Sequence, residues 1–286
     1  MKRNKIQDEK KNDFVSIKRE GMKLKIRNEY KSGLLRYGIE NPRRAIRDNK
    51  IELIRNGSRS LVVSLAFSHE VLSQRIALKY YKRPGLSRRL KDVFRSSKAA
   101  KEWIAGDRLL GLGIKTPVPL AVGERRRFRF LQESFLVTEE VTGSKTLGPY
   151  LAVFAPPLSK EKIEEKRDFI SRLAKEVGRI HKQGFFHGSL SVANVLVRKT
   201  PQGNMSFYFL DLDYAKAQRR VSPYQKVKDL ATLSKRIPSF ITRTDKLRFF
   251  RVYCKETGLT KADAGRYLKR IENRLLKRLK HKRGNF

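Results

Sequence analysis

A chain of 286 residues with 39% apolar content holds enough core-forming side chains for one two-lobed domain or two small ones, which excludes disorder throughout. Lys and Arg number 67 against 28 Asp and Glu, and the formal charge of +39 calls for an anionic partner: nucleic acid, an anionic membrane leaflet or a phosphorylated glycolipid. The lone cysteine, Cys254, rules out an internal disulfide, and no apolar run approaches the roughly 18 residues of a bilayer span, so any membrane contact is expected to be peripheral.

In chain order, residues 1–50 are polar, basic and weakly periodic, with Asn41-Pro42 as a breaker, and read as a basic N-terminal arm with local structure. It carries no apolar h-region before its next charges, so no ordinary secretory signal is expected and a cytoplasmic location is. Strands are predicted at Ile51 to Ile54, Leu61 to Phe67 and Ile76 to Tyr81, the first two joined by a turn containing Gly57 and Ser58. Ser96 or Ser97 can cap a helix that runs through Ala99, Glu102 and Trp103 and ends near Gly111 or Gly113. Two further strands, Phe128 to Leu131 and Phe135 to Thr138, precede the sequence Glu139-Glu140-Val141-Thr142-Gly143. From Ser159 the apolar residues Ile163, Ile170, Leu173, Val177 and Ile180 recur at helical spacing, with Gly184 as the left-handed cap. Beyond Asp213 the pattern is helical again, with stripes at Val227, Leu230 and Leu233 and around Phe250. The last helix, from about Thr260, carries Tyr267, Ile271, Leu275 and Leu279 on one face and Lys and Arg on the others. Such a helix either lies on an anionic surface or packs its apolar face on the body of the protein.

The stretch from His187 to Asp213 organises the rest. It reads H-G-S-L-S-V-A-N-V-L-V, a turn at Pro201, Gly203 and Asn204, and then F-Y-F-L-D-L-D. One strand follows Asn194 and its partner ends on Asp211 and Asp213, so the hairpin sets an amide oxygen beside a carboxylate, the donor types that hold Mg²⁺ against nucleotide phosphates.

On these residues the chain resembles the protein-kinase-like superfamily, and its H-G-x-L and D-L-D elements look most like the lipopolysaccharide kinases of the Kdo/WaaP type. The resemblance implies an α+β, two-lobed kinase-like fold: an antiparallel-sheet N-lobe over 51–138, a mainly helical C-lobe over 139–259, and the basic amphipathic helix over 260–286. It implies ATP and Mg²⁺, with Lys79 on the α and β phosphates, Glu102 as its helix partner, and the Gly57-Ser58 turn over the phosphates. Backbone groups of Glu139 and Val141 would hold the adenine edge. Asn194 and Asp211 would be metal ligands and catalytic residues, with Asp213 a second metal ligand or a substrate contact. The family's catalytic aspartate position is occupied by Ser189, whose hydroxyl cannot accept a proton as a carboxylate does. The implied activity is phosphoryl transfer to a hydroxyl of a lipopolysaccharide inner-core sugar, by a protein peripheral at the inner membrane with anionic glycolipid or membrane as partner. The alternatives are a pseudokinase that binds nucleotide or a partner without efficient transfer, and a nucleic-acid-binding module, which rests on charge alone.

Overall fold

The computed structural model describes residues 13–69, 72–82 and 95–283; residues 1–12 of the expected arm and the side chain of Leu279 lie outside that description. The chain divides into two compact units, one from Met1–Asp107 and Pro117–Thr142, the other from Arg108–Thr116 and Gly143–Phe286.

The first unit is built on a seven-stranded antiparallel sheet. Its strands are β1 (Phe14–Arg19), β2 (Met22–Arg27), β3 (Ile51–Asn56), β4 (Ser60–His69), β5 (Leu72–Tyr81), β6 (Pro119–Arg127) and β7 (Phe130–Glu139), in the order β1-β2-β6-β7-β5-β4-β3. Helices α1 (Lys31–Arg36) and α2 (Pro42–Asp48) connect β2 to β3, and α3 (Lys98–Gly111) precedes β6. Residues 14–48, read from sequence as an arm, therefore carry two sheet strands and two helices. The alternation Met22-Lys23-Leu24-Lys25-Ile26 explains why: its apolar members are buried in the sheet core and its lysines are exposed. Asn41 caps α2, its side chain accepting from the Arg44 amide, with Pro42 in the first turn.

The two strands expected at Phe128 to Leu131 and Phe135 to Thr138 are instead one, β7, the second arm of a hairpin whose first arm is β6. β6 and β7 pair from Pro119↔Thr138 to Arg127↔Phe130, and Phe128 and Arg129 form the turn with φ of +47° and +66°. Asn and Gly normally fill such turns, so Phe-Arg gave no turn signal. The run Arg125-Arg126-Arg127 hid the strand before it, although Arg125 bridges to Glu133 and Arg126 to Glu124.

The second unit is mainly helical. It contains β8 (Ser144–Thr146), α4 (Leu147–Leu151), α5 (Lys160–Lys182), β9 (Phe185–Phe186), β10 (Val195–Lys199), β11 (Met205–Phe209), β12 (Lys216–Ala217), α6 (Pro223–Ser234), α7 (Arg243–Thr257) and α8 (Lys261–Arg283). The strands form a three-stranded sheet, β11-β10-β8, and a two-stranded one, β12-β9. Helix starts are set by side chains: Ser159 accepts from the Lys162 amide, and Ser222/Gln225 and Thr242/Asp245 make reciprocal capping boxes. Helix α5 packs on α7, with a buried ion pair of 2.9 Å between Lys166 and Asp245 across that contact. Helix α8 packs on α6, burying Tyr267 and Ile271, so much of its apolar face is covered within the fold.

The N-terminal hairpin reaches α3 through an aromatic contact. Phe14 meets the buried Trp103 ring edge-on, with centroids 5.2 Å apart, and both join the small cluster of Tyr81, Ala99, Val122 and Leu136. Trp103 is the neighbour of Glu102, so the hairpin braces the helix that carries this glutamate. Phe14→Ala should cost about 2 kcal/mol, below the full core value because Phe14 is half-buried, plus the lost ring pair. Urea unfolding that shows a change below about 0.5 kcal/mol would mean that the hairpin does not brace α3.

Candidate active site

In the first unit the structure brings Lys79 and Glu102 together. Lys79 lies near the C-terminal end of β5, paired with Val62 on β4 and Leu136 on β7, so its position is fixed from both sides. Its ammonium is 2.8 Å from Glu102 Oε2 across the gap to α3, and the Tyr81 hydroxyl donates to the same oxygen. Ser97 starts that helix, accepting from the Ala100 amide, while its own amide donates to Glu124. Both partners are nearly buried, so the pair is shielded from solvent screening.

Gly57 and Ser58 sit in the β3–β4 turn, where the Gly57 amide donates to Ser60 O at 2.9 Å. A Cβ at Gly57 would stand 3.5 Å from Ser60 O, an ordinary contact, so neither space nor a positive φ demands glycine there. Glu139 ends β7, and its amide donates to Val118 O at 2.9 Å, which narrows the adenine expectation at this residue to its carbonyl. Its side chain bonds the Tyr30 hydroxyl at 3.3 Å, and burial pushes its carboxyl above the usual range against that hydrogen bond. Val141 follows just past the strand.

In the second unit the structure brings Ser189, Asn194 and Asp211 together. The Asn194 amide nitrogen donates to Ser189 O at 2.9 Å, Ser189 Oγ donates to Asp211 O at 3.1 Å, and Leu210 N donates to Asn194 O at 2.9 Å. Asp211 adopts the left-handed backbone region, φ 62° and ψ 54°, a conformation that asparagine and aspartate tolerate best after glycine. Asp213 lies two residues on, in a 3-10 turn spanning Leu212–Tyr214.

The donor set suits a hard divalent cation. Because Asn194 spends its NH₂ on Ser189 O, the oxygen is the end of the amide that remains for a ligand, and Asp211 supplies a carboxylate. Among the described residues no three His, Cys, Asp or Glu side chains converge on a metal position, so any cation held here depends on Asn194 and on ligand oxygens.

The group that shapes this loop is one that sequence reasoning missed. Asp229, on α6 and fully buried, accepts from the His187 amide (2.9 Å), the Gly188 amide (3.0 Å) and His181 Nε2 (3.2 Å). Burial pushes the Tyr253 hydroxyl far above its ordinary range, and it lies 2.8 Å from His181 Nδ1, while the Asp229 carboxylate can only accept and so is met by an N–H at His181 Nε2. His187 is also fully buried, and desolvation holds its imidazole below the usual range, so it packs as a neutral ring against Phe209. Gly188 needs to be glycine: φ is +81°, and a Cβ would meet Tyr214 O at 2.6 Å. The available sequence signal was an aspartate between Val227 and Leu230 on the buried face of α6.

The model of the lipopolysaccharide kinase (Kdo/WaaP) family matches residues 52–253, and the chain belongs to that family. It is 31% identical over 159 residues to the lipopolysaccharide core heptose(I) kinase WaaP of Pseudomonas aeruginosa and 30% identical over 161 residues to that of Escherichia coli. Each match covers 54% of this chain, and it spans only 59% of the length of either curated relative. A solved structure described as WaaP in complex with acyl carrier protein superposes with a TM-score of 0.62 at 23% identity, covering 89% of this chain and 98% of that one. The fold is accordingly α+β and protein-kinase-like.

Asp229→Ala leaves two backbone amides and one imidazole N–H buried without their acceptor. Each such loss is worth about 1–3 kcal/mol, so urea unfolding should show at least about 3 kcal/mol of destabilisation. A loss under about 1 kcal/mol would show that the loop is not pinned by this carboxylate.

Proposed function

We propose that this chain is an ATP-dependent, Mg²⁺-assisted phosphotransferase acting on a hydroxyl of a lipopolysaccharide inner-core sugar. The observation that carries the reading is the arrangement of Ser189, Asn194 and Asp211, in a chain of the Kdo/WaaP family whose relatives are named as core heptose kinases. Bound Mg-ATP supplies the phosphoryl group and neutralises charge on it. Lys79, held by Glu102, would meet the α and β phosphates, and the Gly57-Ser58 turn would lie over them; the 2.8 Å ion pair supports the lysine's role. The Glu139 carbonyl and the Val141 amide take the adenine edge. Asn194 and Asp211 provide metal oxygens, and Asp213 either adds one or meets the acceptor.

Ser189 does not serve as a base. Its hydroxyl proton is given to Asp211 O, so it pins the backbone of the metal-binding aspartate. Phosphoryl transfer passes through a loose transition state and depends mainly on positioning, so the reaction survives without the carboxylate at a cost of about 10²–10⁴ in rate. The formal charge of +39 and the basic outer face of α8 support a peripheral position on the anionic cytoplasmic leaflet, where the glycolipid acceptor is presented. Among the described residues no helix is long and apolar enough to cross a membrane.

The test is transfer of labelled γ-phosphate from ATP to delipidated lipopolysaccharide core. The wild type should transfer slowly, Asp211→Asn should transfer nothing measurable, and Ser189→Asp should raise turnover about 10²-fold at equal ATP saturation. No transfer by either the wild type or Ser189→Asp, with both folded and ATP bound, would overturn the reading in favour of a nucleotide-binding pseudokinase.

A further inference from the structure

A second concentration of charge lies in the mainly helical unit, at the hairpin end of β11 rather than at its loop end. On α5, Arg172, Lys175 and Arg179 recur at intervals of three and four and share one face. Facing them are Lys115 and the start of β11, and together they enclose a cleft of about 220 Å³. Asp211 follows the opposite end of the same strand, so the cleft and the candidate active site are separate.

A chain this basic has cations on most of its surfaces, and two features distinguish these. First, two of the four are oriented by neutral acceptors, which cancel no charge: Arg179 Nη2 donates to Gly113 O at 2.8 Å and Lys115 Nζ to Ser206 Oγ at 2.7 Å. Second, among the described residues the four cations meet two carboxylates, Asp168 at 2.6 Å from Arg172 and Glu176 at 3.6 Å from Arg179, which leaves a surplus of positive charge in a concave space. Lys175 is exposed and makes no ion pair among the described residues. The floor is apolar, from Met205 and the buried Phe207.

Fixed guanidinium and ammonium donors at the walls match the tetrahedral oxygens of a phosphoryl group, and an apolar floor suits the carbon substituent of an ester. The volume is below the roughly 300–1,000 Å³ of drug-sized pockets, which limits the occupant to a small head group. We infer that this cleft is a binding site for a phosphate monoester, distinct from the candidate active site. This does not depend on the kinase reading.

The experiment titrates the full chain with glycerol 3-phosphate by calorimetry at constant ionic strength, and in parallel with phosphatidylcholine vesicles with and without phosphatidic acid. Arg172→Gln/Lys175→Gln removes two exposed cations of the cleft, and Lys31→Gln/Arg36→Gln on α1 removes two exposed cations elsewhere as a charge-matched control. Binding should weaken at least tenfold in the cleft variant and change less than twofold in the control. Loss in the glycerol 3-phosphate arm identifies a soluble ester, and loss confined to the phosphatidic acid vesicles identifies a lipid head group; either supports the site. Equal weakening in the two variants, or no weakening in either arm, overturns it.

Discussion

One buried carboxylate sets the geometry on which the candidate chemistry depends. Asp229 has no exposed surface and collects three N–H donors, two of them consecutive amides of the loop that begins at His187. Hydrogen bonds to a charged acceptor are stronger than neutral ones, and leaving their donors buried without it is costly, so the loop has one favoured shape. That shape is passed on by further hydrogen bonds. Ser189 O turns the Asn194 amide, Ser189 Oγ holds the backbone of Asp211, and Asn194 O closes onto Leu210 at the end of β11. The left-handed backbone at Asp211 is strained for a residue with a side chain, and this bonded frame is what maintains it.

The sheet unit solves a parallel problem with different means. An ammonium and a carboxylate from a strand and a helix meet only if both elements are immobile. Lys79 is fixed by strands on either side, and α3 is fixed by the Ser97 cap and by Trp103 in its aromatic cluster. Part of that support comes from residues before position 52, where the family match begins. Met22, Leu24, Ile26, Tyr30 and Leu34 are all buried in the same core as β4, β5 and β7, so the N-terminal segment is integral to the sheet.

Much of this was legible in the sequence wherever local chemistry and global fold agree. The capped α5, the β10–β11 hairpin and the loop carrying Asn194 all follow from periodicity, Ser159, Gly184 and the Pro201–Asn204 turn. The alternation from Met22 to Ile26 was equally clear as a pattern but was overshadowed by the charge around it. The β6–β7 turn was illegible because tertiary pairing forces Phe128 and Arg129 into a conformation that their side chains do not favour. Asp229 was hidden for a different reason: its three partners are 41 to 48 residues away, and only the folded chain joins them.

A frame that presents Asn194 and Asp211 to a magnesium nucleotide must be stabilised when that ligand binds. Thermal unfolding with and without Mg-ATP tests it directly, since a ligand at about 100 times its dissociation constant stabilises the folded state by about 2.7 kcal/mol. The wild type should show a clear rise in melting temperature that needs Mg²⁺ and is mostly lost in Asp211→Asn. A melting curve unmoved by millimolar Mg-ATP would contradict it.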